Sequence, residues 1–205
     1  GDAVGISVVK VFGLENTIVD PDDPDIVERR LHFAVECAVR IRPDINNPID
    51  IAQLRGWIMQ LKTRFELNLH TVSYDSFQSA ESIQHFRSVG IRSRMVSVDR
   101  TLEPYQYLRE CTYHDQIAMV DCDPLRTELA QLEFRANSNR VDQPPRGSKG
   151  VVDAVCGAIF QASLSRLYRS AGGYVDQEGR QHRASGERTR PNLPRPQGDR
   201  RPRIN

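Results

Sequence analysis

The sequence predicts an α/β fold in which helices cover a mixed β-sheet. Apolar residues occupy every second position from Leu31 to Ile41, a period typical of a strand with one face on a core. Beyond Pro43, helical segments with apolar residues at spacings of three and four alternate with short extended runs. Two consecutive strands followed by alternating helices and strands indicate a mixed sheet flanked by helices.

The strands are predicted from apolar runs and from the residues that end them. Residues 3–12 form an apolar strand that ends at Gly13, and Pro43 ends the strand over 31–41. Between these strands, the acidic and proline-containing residues 14–28 predict a mobile loop. Shorter extended segments are predicted over residues 69–75, 91–98 and 117–120.

The helices are predicted from apolar spacing and from capping residues. A helix over 49–66 carries the clearest stripe, which consists of Ile51, Leu54, Ile58, Leu61 and Phe65. Asp123 followed by Pro124 favours the start of a helix, and Ser148 is a potential cap for a last helix over 149–170. The stripe of that last helix consists of Val152, Val155, Ile159 and Leu167. Two further helices are predicted over 79–88 and 102–112, and a loop over 137–147.

The composition of the 205 residues, with 39% apolar and 27% charged residues, is that of a chain that folds in water. No apolar run approaches the roughly 20 residues of a membrane-spanning helix. The first residues, Gly1 to Val4, lack the basic start of a signal peptide, so we expect an intracellular protein that is not secreted. The four cysteines contain no C-x-x-C pair, which argues against a zinc ribbon and a disulfide framework.

The residues from Gly172 to Asn205 differ from the rest of the chain. They contain eight arginines against four acids and almost no apolar residues. Such a segment cannot bury enough surface to offset its chain entropy, so we predict a folded domain over 1–171 and a disordered tail over 172–205. The tail is either a basic arm for nucleic acid or a partner, or a solubilising extension.

Three carboxylates lie where an α/β sheet would place a binding site. Asp75 ends the strand over 69–75, Asp153 lies one turn into the last helix, and Asp2 lies in a turn before the first strand. Gly150 and Gly157 leave the helix face around Asp153 bare, which allows close backbone approach. Carboxylates that converge stay ionised only with cations between them, and oxygen ligands suit Mg²⁺ or Mn²⁺.

Each of these carboxylates also has a purely structural interpretation. Asp75 is a possible cap of the following helix, Asp153 a possible partner of Lys149 on an exposed helix face, and Asp2 a solvated turn residue.

Several aromatic and arginine residues also have purely structural interpretations. Trp57, Tyr105 and Tyr107 are interpreted as packing residues. Arg92 and Arg94 share one strand face, and they either meet a phosphate backbone or cover the sheet with their stems.

Three segments resemble motifs of the nuclease domain of bacteriophage terminase large subunits, and they occur in the same order. The stretch NRVDQPPRGSKGVVDAVCGAIF (139–160) is similar to the C-terminal motif of that family. VSYDSFQSAES (72–82) resembles its middle motif, in which an acid ends a strand, and GDAVGISVV (1–9) resembles the Gly-Asp-Ala-x-Gly segment. The resemblance implies a ribonuclease H-like mixed sheet flanked by helices, with its first strand lacking or supplied upstream.

The resemblance also implies an activity and site residues. It implies hydrolysis of double-stranded DNA with two Mg²⁺ or Mn²⁺ ions at the start and end of packaging. Asp75 would be the middle metal ligand, Asp153 the helix-borne ligand and Asp2 an accessory acid. Ser148 and Lys149 would shape the helix start, where amide groups and a cation favour phosphate. With them, the predicted DNA-binding residues are Arg146, Arg92 and Arg94.

The implied partners are double-stranded DNA, the portal, the small terminase subunit and an ATPase domain upstream in the same polypeptide, with no membrane. The implied location is the host cytoplasm, at the procapsid portal. Residues 14–28 and the tail are the segments expected to contact DNA, portal or a neighbouring subunit. No Walker motif occurs in the sequence, so the sequence assigns no ATPase activity to these residues.

The chain departs from the family pattern at three positions. The first catalytic acid of the family precedes the Gly-Asp-Ala segment and is not among these residues, Gly150 replaces an aspartate, and Gln143 replaces a histidine. These departures leave two other hypotheses open: a catalytically incomplete module that docks DNA or the portal, and another ribonuclease H-like enzyme such as a junction resolvase.

Overall fold

The computed structural model describes residues 3–20, 23–44, 46, 49–75, 79–145, 147–165, 173–175 and 181–183. Strands and helices alternate after the first two strands, as the sequence predicts. The elements are β1 (Val4–Asp20), β2 (Asp23–Ile41), α1 (Ile51–Thr63), β3 (Thr71–Tyr74), α2 (Ala80–Ser88), β4 (Arg92–Met95), α3 (Glu103–Tyr113), β5 (Ile117–Met119), α4 (Asp123–Ala130), β6 (Glu133–Arg135), β7 (Arg140–Asp142), α5 (Gly150–Ser163), β8 (Gly173–Val175) and β9 (Gln181–Arg183).

The strands pair in both directions. Strand β2 is antiparallel to β1 and parallel to β5, which gives a mixed three-stranded sheet in the order β1-β2-β5. Strands β3 and β4 form a separate parallel pair, in which Tyr74 lies opposite Met95. The predicted mixed α/β architecture is confirmed, and the parallel β3–β4 pair has both carboxyl ends at one edge.

The predicted loop over 14–28 is wrong, because β1 and β2 continue through most of it as one long hairpin. The ladder extends to the pair Asp20 and Asp23, and a register shift between Val11 and Gly13 carries β1 past the glycine. Pro24 lacks a backbone N–H and has no partner in the ladder, which is irregular between Ile18 and Asp20. The proline and acidic residues of this segment therefore do not end the two strands. Residues 21 and 22 lie outside the described part of the chain.

A second hairpin, β6–β7, occupies part of the predicted loop over 137–147. At the other end of the chain, β8 and β9 pair within the segment predicted to be disordered. The remainder of that segment lies outside the described residues, so the division at residue 171 stays a prediction.

Helix α5 lies at the centre of the core. Its fully buried apolar side chains pack with Phe33 and Val35 of β2. Its first residue, Gly150, touches the backbone of β1, since a Cβ placed on Gly5 would run into the Gly150 carbonyl. The close approach expected from the bare glycine face is therefore present, and it fixes the beginning of α5 against the sheet. The helix ends at Ser163, and Leu167 of the predicted stripe lies outside the described residues.

Helix α1 is the least buried of the helices. Asp50 caps it by accepting a hydrogen bond from the N–H of Ala52 at 2.7 Å, but none of its residues is fully buried. Trp57 is 50% exposed, so its assignment to the core is wrong. The apolar spacing of α1 predicts its helical structure but not its burial. No helix in the described ranges is both long and apolar enough to cross a membrane.

Candidate metal centre

The carboxyl ends of β3 and β4 bring two aspartates together. Asp75 follows β3 directly, and Asp99 lies in the loop that follows β4. Because parallel neighbours end at the same edge of a sheet, side chains that follow them lie close to each other. Helix α5 adds Asp153 from its first turn.

The three aspartates form a cluster that can hold a metal ion. One carboxylate oxygen from each of Asp75, Asp99 and Asp153 lies within 4.8 Å of the others. Asp75 is exposed, whereas Asp99 and Asp153 are half-buried. Three oxygen ligands of this kind, open to solvent on one side, suit a hard divalent cation such as Mg²⁺ or Mn²⁺.

Asp75 accepts a hydrogen bond from the loop that follows β4. The N–H of Val98 donates to Oδ1 of Asp75 at 3.3 Å. The N-cap of α2 is Ser79, so the interpretation of Asp75 as the cap of that helix is wrong.

Asp153 is bound on both oxygens and still has an unfavourable environment for its charge. The hydroxyl of Tyr105 donates to Oδ1, and Nζ of Lys149 lies 3.7 Å from Oδ2. Burial raises the pKa of Asp153 to about 6, because desolvation and the charges of Asp99 and Asp75 outweigh the Tyr105 hydrogen bond and the Lys149 charge. A divalent cation would relieve this penalty.

Lys149 is the cation that the cluster already contains. Its Nζ donates to Oδ1 of Asp99, lies 3.5 Å from the carbonyl oxygen of Val141, and lies 6.0 Å from the ring centroid of Tyr105. Burial by itself lowers the pKa of Lys149. The hydrogen bond to Asp99 and the charges of Asp153 and Asp99 together have the larger, opposite effect, so the pKa is raised above its usual value. The predicted pairing of Lys149 with Asp153 is present. It does not lie on an exposed helix face, because the two side chains are only 13% and 14% exposed.

The cluster carries an excess of negative charge. In the described part of the chain, Lys149 is the cation that forms ion pairs with it, against three carboxylates. Two negative charges stay uncompensated when all three acids are ionised, which matches the charge of one divalent ion.

A fourth carboxylate, that of Glu128 in α4, binds the backbone at the start of α5. It is 1% exposed, and its Oε2 accepts hydrogen bonds from the N–H groups of Val151 at 2.8 Å and Val152 at 3.0 Å. Its Oε1 accepts a hydrogen bond from Arg40 of β2. Glu128 therefore caps α5, and the prediction that Ser148 caps it is wrong, because the N-cap position is Lys149 and its side chain makes no capping hydrogen bond.

Gly150 explains why the cluster lacks a further acid one turn before Asp153. A Cβ at Gly150 would lie 3.0 Å from the carbonyl oxygen of Ala3 and 3.3 Å from the nitrogen of Gly5. A side chain at this position would therefore push β1 away from α5.

The other predicted site residues are distributed around the cluster. Ser148 and Lys149 are half-buried beside it, whereas Arg92 and Arg94 are exposed on β4 and alternate with the buried Ser93. Asp2 and Arg146 lie outside the described residues. The catalytic, metal-binding and DNA-binding roles of all these residues stay predictions.

Sequence reasoning missed three residues of the site: Asp99, Tyr105 and Glu128. Asp99 directly follows the strand predicted over 91–98, so the argument that selected Asp75 applies to it equally. The sequence predicts a packing role for Tyr105, and its ring is buried, but its hydroxyl reaches the site. Nothing in the sequence distinguishes the buried Glu128 from the other acids of a surface helix.

Two solved structures of phage proteins resemble this chain. The large terminase nuclease domain of Thermus phage P74-26 has a TM-score of 0.50 and 15% sequence identity, over 78% of this chain and 80% of that one. The large terminase nuclease of the thermophilic phage G20c, solved with bound magnesium, has a TM-score of 0.48 and 16% identity, over 78% of this chain and 82% of that one. No protein-family model and no curated protein matches the sequence. At such identities the first likeness shows the fold alone, and it confirms the predicted ribonuclease H-like class.

Proposed function

Since the chain has the fold of a phage large terminase nuclease domain, we propose that residues 1–171 are the metal-dependent endonuclease domain of a DNA-packaging terminase. The domain hydrolyses phosphodiester bonds of double-stranded DNA at the start and end of packaging. The observation that carries the proposal is the cluster of Asp75, Asp99 and Asp153, which within the described part of the chain has one paired ammonium group, that of Lys149, for three carboxylates.

In this proposal the aspartate cluster holds Mg²⁺ or Mn²⁺. Asp75, Asp99 and Asp153 are the ligands among the described residues, and Asp2 is an accessory acid. When bound, two such ions lower the pKa of an attacking water and stabilise the 3′ leaving oxygen. The donor set fits this chemistry, because its three oxygen ligands converge and the exposed Asp75 leaves one side open to a phosphate.

The protein's own residues bind and orient the DNA. Arg92 and Arg94 are exposed on β4, the strand whose following loop carries Asp99, so they can contact phosphates near the cluster. Ser148, Lys149 and Arg146 lie in the segment that leads into α5 and add further contacts. Affinity from such contacts falls steeply with added salt.

The larger assembly is part of the same proposal. An ATPase domain upstream, the portal and the small terminase subunit would be the partners, at the procapsid in the host cytoplasm. The arginine-rich tail over 172–205 would contact DNA or one of these partners.

A nicking assay on supercoiled plasmid with Mn²⁺ tests the nuclease function. We expect cleavage that EDTA abolishes and that Asp75→Asn, Asp99→Asn and Asp153→Asn each reduce at least about a hundredfold, because each removes a ligand. Asp121→Asn is the matched control: Asp121 is 85% exposed, pairs with Arg126 and should retain full activity. Cleavage that ignores EDTA and all three substitutions would refute the proposal.

A catalytically incomplete docking module is the second candidate, and Gly150 favours it. An acid at this position, as in the terminase motif, would bring its Cβ to 3.0 Å from the carbonyl oxygen of Ala3, so the backbone of β1 would have to shift to admit it. This candidate predicts salt-dependent DNA binding without nicking, which the same plasmid distinguishes in a gel-shift assay.

A further inference from the structure

Tyr105 of α3 combines a buried ring with a polar function. Tyr105 is 6% exposed, and it belongs to the hydrophobic core together with Leu108 and Val155. The hydroxyl of a buried tyrosine usually finds a hydrogen-bond partner, and the identity of that partner shows what the hydroxyl can position. Here the hydroxyl donates instead to Oδ1 of Asp153.

This hydrogen bond makes the two oxygens of Asp153 unequal. Oδ1 is occupied by Tyr105. Oδ2 lies 3.7 Å from Nζ of Lys149, the same atom that binds Asp99. The carboxylate therefore has one oxygen on the Tyr105 hydroxyl and the other beside the ammonium group that also binds a second member of the cluster.

We propose that Tyr105 is a positioning residue of the metal centre, whose hydroxyl fixes Asp153 so that Oδ2 faces the bound ion. The proposal rests on the metal-dependent nuclease function above. Partners of this kind set the orientation of metal-binding side chains, and their loss typically reduces metal affinity 10- to 100-fold. The buried ring of Tyr105 cannot move without opening the core, which makes its hydroxyl a rigid reference for a short, otherwise rotatable carboxylate.

Tyr107 provides a matched control two residues along the same helix. Its ring packs edge-on against Phe33 and Phe160. Its hydroxyl interacts with Cys111 and Ser163 rather than with the aspartate cluster. Tyr107→Phe and Tyr105→Phe therefore remove the same atom from the same helix, and only the second removes a contact to a candidate ligand.

Titration of the full chain with MnCl₂ by isothermal titration calorimetry tests the inference. We expect Tyr105→Phe to raise the Kd for Mn²⁺ about tenfold or more, and Tyr107→Phe to leave it unchanged within about twofold. In the nicking assay, Tyr105→Phe should raise the Mn²⁺ concentration for half-maximal cleavage, with much of the rate recovered at saturating Mn²⁺. Equal Mn²⁺ affinity in the wild type and Tyr105→Phe would overturn the positioning role.

A second measurement does not depend on the metal. Thermal midpoints in EDTA of the wild type, Tyr105→Phe, Asp153→Ala and the double variant form a cycle for the Tyr105–Asp153 contact, since alanine leaves no acceptor for the hydroxyl. We expect non-additive midpoints, whereas additive midpoints would show that the hydroxyl does not hold the carboxylate and would overturn the inference. If the midpoints are non-additive but the wild type binds no Mn²⁺, the contact is real, and both the proposed metal site and the positioning role are wrong.

Discussion

Two carboxylate sites flank the first turn of α5, and they differ in how their charge is balanced. Glu128 has a partner for each oxygen: Arg40 on one, and the N–H groups of Val151 and Val152 on the other. In the aspartate cluster, among the residues that the structure describes, Lys149 is the cation that forms ion pairs, and it pairs with two of the three carboxylates. Both sites contain buried or half-buried acids, yet only the second has an excess of negative charge.

The comparison separates structural acids from candidate ligands. The carboxylate of Glu128 lies at a helix N-terminus, where the dipole and the free N–H groups favour an anion, so the folded protein supplies everything it needs. The cluster becomes balanced only when a divalent ion adds two positive charges. Burial alone therefore does not distinguish these two sites, whereas the count of their cationic partners among the described residues does.

The largest expected effect is on stability at the balanced site. Glu128→Gln leaves Arg40 without its partner in a half-buried position and should lower the free energy of unfolding by about 3–5 kcal/mol. Glu81→Gln is the control, since Glu81 pairs with Arg55 but is 82% exposed, and it should cost at most about 1 kcal/mol. Urea unfolding in EDTA measures both values.

Equal losses of unfolding free energy for Glu128→Gln and Glu81→Gln would contradict this distinction, because the Glu128 site would then contribute no more than an exposed ion pair. A large loss for Glu128→Gln with retained Mn²⁺ binding would show that Glu128 supports α5 and does not take part in binding the ion.

The next effect has the opposite sign. Asp153→Asn removes one of three converging charges, so in EDTA at pH 8 it should stabilise the fold by roughly 1–3 kcal/mol. The pKa of Asp153 is raised from 3.8 to about 6, so ionisation costs stability as the pH rises through this range. At pH 4 the wild-type carboxyl is protonated in the folded state and about half protonated in the unfolded state, so most of the advantage of the variant should be lost.

Thermal midpoints at pH 8 and pH 4, with EDTA or with Mn²⁺, measure this prediction. Mn²⁺ should raise the midpoint of the wild type much more than that of Asp153→Asn. A variant that is less stable than the wild type in EDTA at pH 8 would mean that the cluster is balanced without a metal ion.

The sequence predicts the elements that have strong local patterns. The alternation over 31–41 gives β2, and the apolar spacing and glycines around Asp153 give α5 and its close contact with the sheet. It does not predict the length of the first hairpin, because Pro24 and the surrounding acids resemble a loop, whereas long-range pairing continues around them. It also does not predict that α1 stays exposed, since amphipathicity says nothing about what covers the apolar face.

The sequence predicts only those residues of the candidate site that have a recognisable local pattern. Asp75 lies at the end of a strand, and Asp153 stands out because of its glycine neighbours, so both have local patterns that single them out. Tyr105 and Glu128 act on α5 from α3 and α4, across separations that only the tertiary fold defines. Asp99 is the intermediate case: its strand was predicted, but its parallel pairing with β3 had to be seen to place it beside Asp75.

The weakest predicted change concerns Lys149, the cation that pairs with the cluster in the described part of the chain. Nζ of Lys149 donates to Asp99 and lies 3.7 Å from Asp153, so it occupies oxygens that a divalent ion would use. Lys149→Met removes this competing charge and should tighten Mn²⁺ binding about three- to tenfold, an effect of the size expected for one charge at a partly solvated site. Lys149→Arg keeps the charge and should bind Mn²⁺ nearly as the wild type does.

Calorimetric titration with MnCl₂ and a salt series of DNA binding distinguish the two roles of Lys149. If Lys149 also contacts a phosphate, Lys149→Met should reduce the slope of log affinity against log salt by about one, while its Mn²⁺ affinity rises. Weaker Mn²⁺ binding in Lys149→Met would contradict the competition, because it would mean that the ammonium group holds Asp99 and Asp153 together for the ion. In that case the cluster would resemble the Glu128 site, where the cation is part of the structure.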